Sequence, residues 1–255
     1  MAEQVVIVTG ASRGLGAATA RILAEMGARL VLNARSEGPL LTLVDEIRAA
    51  GGGAVAVRGD VSDPAVCRAV VQAALDRFGR LDALINNAGI IEPIAPVAEA
   101  SGDAWARNLA INVIGPVLMT AAALPHLRAR SGRVISVSSG AALDPVSGWG
   151  AYCAAKAALN QYNAVLALEE PQITAITFRP GVVDTAMQAA IRRDGAGKMA
   201  GDEHARFVGY FERGELPPPE RPGRALALLA LYAPHDWSGQ FIRWNEERVA
   251  ALGAG

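Results

Sequence analysis

Tyr152 and Lys156 stand four residues apart in Tyr152-Cys153-Ala154-Ala155-Lys156. On a helix that spacing sets both side chains on one face. A phenol is a poor acid–base group near neutrality, with an ordinary pKa of about 10. A neighbouring ammonium stabilises the phenolate and lowers that value, which favours proton transfer. Taken alone, the pair reads as well as a solvated helix face. Ser138-Ser139 lies upstream, at the end of an apolar run, and adds hydroxyls to the same stretch of chain.

A second place for chemistry lies near the N-terminus. Thr9-Gly10-Ala11-Ser12-Arg13-Gly14-Leu15-Gly16 follows a strand-like run and opens a helical one. Glycine lets the backbone turn tightly and approach a pyrophosphate, which the positive end of the following helix holds. Any tight strand–helix turn uses glycine, so the turn alone is a weak signal. Here a second strand follows, which is the context a dinucleotide site requires. That strand ends at Asn33-Ala34-Arg35-Ser36, with no acid to accept hydrogen bonds from a ribose 2′-hydroxyl. Arg35, with Arg13 in the glycine turn, suits a 2′-phosphate, so the expected cofactor is NADP(H). The alternative is two solvated surface arginines. Asp60-Val61 and Asn86-Asn87-Ala88-Gly89 follow two further strand-like runs, at strand ends where a dinucleotide lies.

The elements that must carry these groups alternate along the chain. Apolar runs at 5–8, 29–33, 54–58, 83–86, 133–137, 173–178 and 240–243 are rich in Val, Ile and Leu. Strands covered on both faces of a parallel sheet have this composition. Segments 15–26, 39–50, 64–78, 105–130 and 154–168 carry apolar residues at helical spacing. The order predicts an α/β fold with a doubly wound parallel sheet of about seven strands and helices on both faces. Residues 186–222 break the rhythm with Asp194-Gly195-Ala196-Gly197 and Pro217-Pro218-Pro219. A connection this long after a strand end is expected to be a substrate lid, an ordinary surface excursion being the alternative.

Nothing in the composition divides the chain. With 255 residues, 51% hydrophobic, and no linker-like stretch, a single domain over 1–255 is expected. A formal net charge of −1 argues against a nucleic-acid surface. Cys67 and Cys153 form no disulfide framework and no metal-ligand pattern, and His126, His204 and His235 are scattered. No signal peptide and no apolar run of membrane-spanning length is read, so a cytoplasmic protein without metal or membrane partner is expected.

Taken together, TGxxxGLG, NNAG, Asn112, Ser139, YxxxK and Pro180-Gly181 resemble the short-chain dehydrogenase/reductase family in order and spacing, over essentially the whole chain. The resemblance implies a Rossmann fold and a catalytic set. Tyr152 would donate a proton to a substrate carbonyl oxygen and Ser139 would hydrogen-bond that oxygen. Lys156 would lower the tyrosine pKa and bind the nicotinamide ribose, and Asn112 would hold a water in the proton relay. In Arg179-Pro180-Gly181-Val182-Val183-Asp184-Thr185, the Val183 amide would orient the nicotinamide and Thr185 would contact its carboxamide or the pyrophosphate. Small residues on the helices at 105–130 and 152–168 are similar to the family's faces for homodimers or homotetramers, and serve equally as helix filler.

Within the family, residues 166–171 and 180–188 are similar to sepiapterin reductases, and more so to benzil reductases that form (S)-benzoin. Sepiapterin reductases carry an Asp in the last strand that anchors the pterin; Arg243 stands at that place here. A guanidinium has donors only, so it cannot accept the pterin N–H groups. The resemblance therefore implies a small carbonyl substrate, a ketone or vicinal diketone such as benzil, reduced by NADPH. The expected pocket is Ser139, Ala141, Leu143, Trp149, Tyr152 and Met187, Trp149 either walling it or packing behind it. Two other functions compete: an oxidative NAD(P)-dependent alcohol, sugar or steroid dehydrogenase on the same site, and a non-catalytic NADP-binding sensor. The missing 2′-hydroxyl acid counts against the first and the intact set of four against the second.

Overall fold

The computed structural model describes residues 3–253. Seven strands, all parallel, form one sheet in the order β3-β2-β1-β4-β5-β6-β7. They are β1 Val5–Thr9, β2 Arg29–Ala34, β3 Ala54–Arg58, β4 Ala83–Asn86, β5 Arg133–Val137, β6 Thr174–Arg179 and β7 Phe241–Arg243. The first half winds outward from β1 to β3 and the second half from β4 to β7. The reversal falls between β1 and β4, and ligands of such sheets sit in the crevice at that point.

Alternate residues of each strand point to opposite faces. Val6 and Val8 of β1, Leu30 and Leu32 of β2, and Ile176 and Phe178 of β6 face one helical layer. That layer is α1 Gly14–Glu25, α2 Glu37–Ala49 and, late in the chain, α9 Glu220–Tyr232. Val5 and Ile7, Val31, Leu84 and Ala175 face the other. There the covering helices are α3 Pro64–Phe78, α5 Gly115–Arg128 and α6 Gly150–Glu169. Asp63 caps α3 through the Ala65 amide, Pro64 opens it, and Gly79 ends it in the left-handed conformation at φ 73°.

Two expectations change. The run 105–130 is not one α-helix: α4 Gly102–Leu109 passes through a wider π turn, Ala110–Ile114, into α5. The compound stretch Gly102–Arg128 also contains an 18-residue window of mean hydropathy 1.5, long and apolar enough to cross a membrane, where no such run was expected. In the fold its α5 part lies against α3 and the sheet, with Met119, Ala123 and Leu127 fully buried. The second change concerns 186–222, which is mostly helical. It holds α7 Ala186–Asp194, α8 Gly201–Glu212 and the start of α9. A short α10, Glu247–Ala251, closes the described chain.

Burial sets the scale of one test. Met119→Ala, at 0% exposure, should cost roughly 2–5 kcal/mol in urea unfolding. Val97→Ala, at 73% exposure, should change stability by less than about 0.5 kcal/mol. Equal small effects at the two positions would contradict the packing of α5.

Candidate active site

The C-terminal ends of β1 and β4 are tied together side chain to backbone. Thr9 Oγ1 accepts the amides of Asn87 and Ala88, each at 3.0 Å. Asn87 Nδ2 donates to the carbonyls of Thr9 at 2.8 Å and Gly10 at 3.2 Å. The approach leaves no room for side chains. A Cβ on Gly10, which has φ 65°, would stand 2.8 Å from Ala88 Cα, and one on Gly16 would stand 2.5 Å from Asn87 Nδ2. Asn87 therefore builds the turn, whereas the sequence reading placed it only beside a cofactor.

The turn delivers the N-terminus of α1 to the crevice. Arg13 is its extended N-cap residue, no side chain caps the end, and no acid lies in its first turn. Such an end attracts an anion. Thr185, which precedes α7, stands across from it: a Cβ on Gly14 would lie 3.3 Å from Thr185 Cγ2. Thr185 Oγ1 donates to the Val183 carbonyl at 3.3 Å, and Val183 is buried.

At the end of β2, Arg35 and Ser36 are exposed. Arg35 lies 4.0 Å from Asp60 Oδ2. Asp60 is already engaged by Arg107 of α4 and by the amide and hydroxyl of Ser62, at 3.0 and 2.7 Å. Burial pushes its carboxyl up, but those hydrogen bonds prevail and hold it below the usual carboxylate range. Asn33 does not face the crevice surface as expected. Its side chain is fully buried and donates to the carbonyls of Val57 at 2.9 Å and Gly59 at 3.3 Å, joining β2 to β3.

Asn112, Ser139, Tyr152 and Lys156 reach the crevice from three elements. The π turn carries Asn112, which is fully buried. Its carboxamide accepts the Ile90 amide at 3.2 Å and donates to the Ile90 carbonyl at 2.9 Å and to Asn108 Oδ1 at 2.8 Å. Asn108 in turn donates to the Glu92 carbonyl at 2.6 Å. Asn108 was not among the expected site residues, although its position four residues before Asn112 is a readable helical signal. A Cβ on Gly89 would stand 2.8 Å from Asn112 Oδ1 and 3.6 Å from Lys156 Nζ, so three of these segments converge there.

Ser139 follows β5, and its Oγ accepts the Ala141 amide at 3.2 Å. Tyr152 and Lys156 lie in the first turns of α6, buried at 7% and 4% exposure. Lys156 Nζ is 5.5 Å from the Tyr152 ring centroid and donates to the Val137 carbonyl at 2.8 Å. Burial pushes the Tyr152 phenol up to about 12, while its hydrogen bond with Ser139 pulls the other way. Desolvation is the largest influence on this phenol. Burial also pulls the Lys156 ammonium down to about 8.

Tyr152 belongs to a separate apolar cluster. Ile91, Ile94, Ala141 and Trp149 share it with Ile191, Met199 and Phe207 of the 186–222 segment. Met187 packs at its margin. Trp149 stands edge-on to Tyr152 at 5.9 Å between centroids and stacks on Phe207 of α8 at 5.0 Å. Leu143 does not join: it is 64% exposed. Arg179, unremarked in the sequence, lays its guanidinium against Gly140, where a Cβ would meet Nη2 at 2.5 Å.

The family profile of the short chain dehydrogenases matches residues 4–196. An uncharacterized oxidoreductase of Schizosaccharomyces pombe is 40% identical over 246 residues, 96% of this chain and 97% of that one. A benzil reductase, (S)-benzoin forming, of Saccharomyces cerevisiae is 33% identical over 262 residues, 98% of each. A short chain dehydrogenase/reductase crystal structure from Saccharomyces cerevisiae superposes with TM-score 0.93 at 36% identity, covering 98% of this chain and 99% of that one. A blue fluorescent protein from a metagenomic library, in complex with NADPH, gives TM-score 0.81 at 31% identity over 94% of this chain and 95% of its own.

Buried Lys156 makes a stability prediction. Below pH 8 the folded chain carries a charge that burial disfavours; from about 8 to the ordinary value of 10.5 only the unfolded chain binds that proton, so stability rises with pH there. Lys156→Met should therefore raise Tm at pH 7, and the gain should shrink between pH 8 and 10.5. Thermal scans across that range check it; a constant or growing gain would contradict the burial of a charged Lys156.

Proposed function

The chain belongs to the short-chain dehydrogenase family, and we propose that within it the chain is an NADPH-dependent carbonyl reductase with Tyr152 as proton donor. The observation that carries this reading is the convergence of buried Asn112, Tyr152 and Lys156 beside the end of β5 that bears Ser139, with Lys156 Nζ 5.5 Å from the Tyr152 ring centroid. A phenol pushed up by burial stays protonated through the neutral range, which is the form a reduction consumes.

The donor set fits NADP(H). The uncapped N-terminus of α1 suits the pyrophosphate, and exposed Arg13 and Arg35 suit a 2′-phosphate. Glu37, the nearest acid after Arg35 in sequence, is paired with Arg58 at 3.2 Å, which offsets its repulsion of a phosphate. When bound, NADPH supplies the hydride. This chain's part is to place the carbonyl: Ser139 and Tyr152 donate hydrogen bonds to its oxygen, Tyr152 gives up its proton, and Lys156 and Asn112 hold the surrounding backbone and ribose. The lid cluster excludes water from the transfer.

For the substrate we take a compact ketone or vicinal diketone of the benzil type. The apolar lid cluster around Tyr152 supports it, as does the similarity to the benzil reductase of Saccharomyces cerevisiae. Arg243 is exposed on β7, so it offers no acceptor for a pterin. Exposed Ile114, Val165 and Leu168 on the α5–α6 side support a homodimer or homotetramer.

Two variants test the reading. Tyr152→Phe should bind NADPH nearly normally and lose roughly 100- to 10,000-fold in benzil reduction followed by NADPH absorbance; retention of more than half the native rate would remove Tyr152 as the acid. Native protein should prefer NADPH to NADH by at least about tenfold, since one charge-assisted contact contributes roughly 1.5–3 kcal/mol. Arg35→Asp should abolish or reverse that preference, and equal efficiency with both cofactors in the native protein would refute it.

A further inference from the structure

Four side-chain nitrogen or oxygen atoms are buried without a hydrogen-bond partner among the described residues, and one of them is Trp149 Nε1. A buried indole N–H ordinarily has an acceptor, and leaving one without is unfavourable. Groups of this kind call for an explanation, and functional sites are a frequent one. The position is specific. Trp149 is 5% exposed, immediately precedes α6, and meets the Tyr152 ring edge-on. Apart from Tyr152, the other members of the buried cluster around it have apolar side chains. The cluster therefore contains a buried donor with no acceptor among the described residues.

Resting on the carbonyl-reductase reading, we propose that Trp149 Nε1–H is the group that selects the substrate's second oxygen, the one adjacent to the carbonyl that Tyr152 protonates. A vicinal dicarbonyl offers two acceptors. One takes the Ser139 and Tyr152 donors; the other takes the indole. A ketone with a single oxygen leaves the indole unpaired, and a site built around a donor discriminates against the analogue that lacks its partner. Phe207 of the 186–222 segment stacks on the indole ring, and Met199 of the same segment belongs to its buried cluster. An oxygen arriving at Nε1 thus displaces side chains of the segment, α7 to α8, that follows the strand ends.

The test compares benzil with 1,2-diphenylethanone, the same molecule with one carbonyl replaced by a methylene. A diketone is the more electrophilic substrate in any site, so the quantity compared is the loss each suffers on substitution. Trp149→Phe keeps an aromatic ring for Tyr152 and Phe207 but has no N–H. It should lower kcat/KM for benzil roughly three- to tenfold, change 1,2-diphenylethanone less than about twofold, and leave the Kd for NADPH native. Phe207→Leu disturbs the stack and keeps the donor, so it should lower both substrates alike. Equal losses on both substrates for Trp149→Phe, or no loss on either, overturn the proposal while leaving the reductase reading intact. Native protein inert toward both overturns the reading and this inference with it. A measurement on unmodified protein stands beside the variant. The chain has four Trp, and the Trp149 indole N–H resonance in the NADP⁺ complex should move downfield with benzil and not with 1,2-diphenylethanone; an unmoved resonance under saturating benzil overturns it.

Discussion

The hydroxyl of Thr9 accepts two consecutive amides of the chain leaving β4, and Asn87 returns two hydrogen bonds to the chain leaving β1. Those four contacts close the sheet at the point where its winding reverses. They also dictate the glycines, because neither Gly10 nor Gly16 has space for one more carbon. Everything downstream inherits the geometry: α1 leaves at a fixed angle, its N-terminus faces the Pro180–Thr185 loop, and Gly89 passes close enough to touch both Asn112 and Lys156. A site assembled from ends of separate strands needs such a joint, since a shift of about 1 Å between them would separate its donors.

The strands were legible because both faces of this sheet are covered. A covered strand is a short Val/Ile/Leu run, and all seven runs reappear within a residue or two of their expected bounds. Tyr152 and Lys156 were legible through helical spacing. Depth was not. That Tyr152 shares a buried cluster with Phe207 and Met199, and that burial pushes its phenol up, depends on where α7, α8 and the turn between them settle. Those helices hid from the sequence because Gly195, Gly197 and Gly201 cluster where α7 ends and α8 begins and both carry many charges, which read as loop. Leu143 was placed by its apolar type, which says nothing of direction in a turn; it is exposed and outside the buried cluster. Asn33 failed in the opposite sense, its polar side chain serving the neighbouring strand.

The polar interior of this site is held at a cost to the fold. Lys156 has one protein hydrogen bond for an ammonium with three donors, and Asn112 spends its carboxamide on the backbone of Ile90. Active sites commonly sit at the unfavourable end of the stability balance. The surrounding sheet supplies the compensation, with β1 and β4 buried at every residue.

The π turn at Ala110–Ile114 introduces a phase slip between α4 and α5. One extra residue in a helical circuit rotates everything after it by about 100°, the angle per residue implied by 3.6 residues per turn. Positions counted along 102–128 as though on one wheel are therefore out of step across the turn. The practical result is an unusual response to length. Removing a single residue from the turn would restore an uninterrupted α-helix while swinging Asn112 away from Gly89 or driving Met119 out of the core. Elsewhere in a surface helix a deletion shifts a solvated stripe; here the helical phase itself is a functional coordinate.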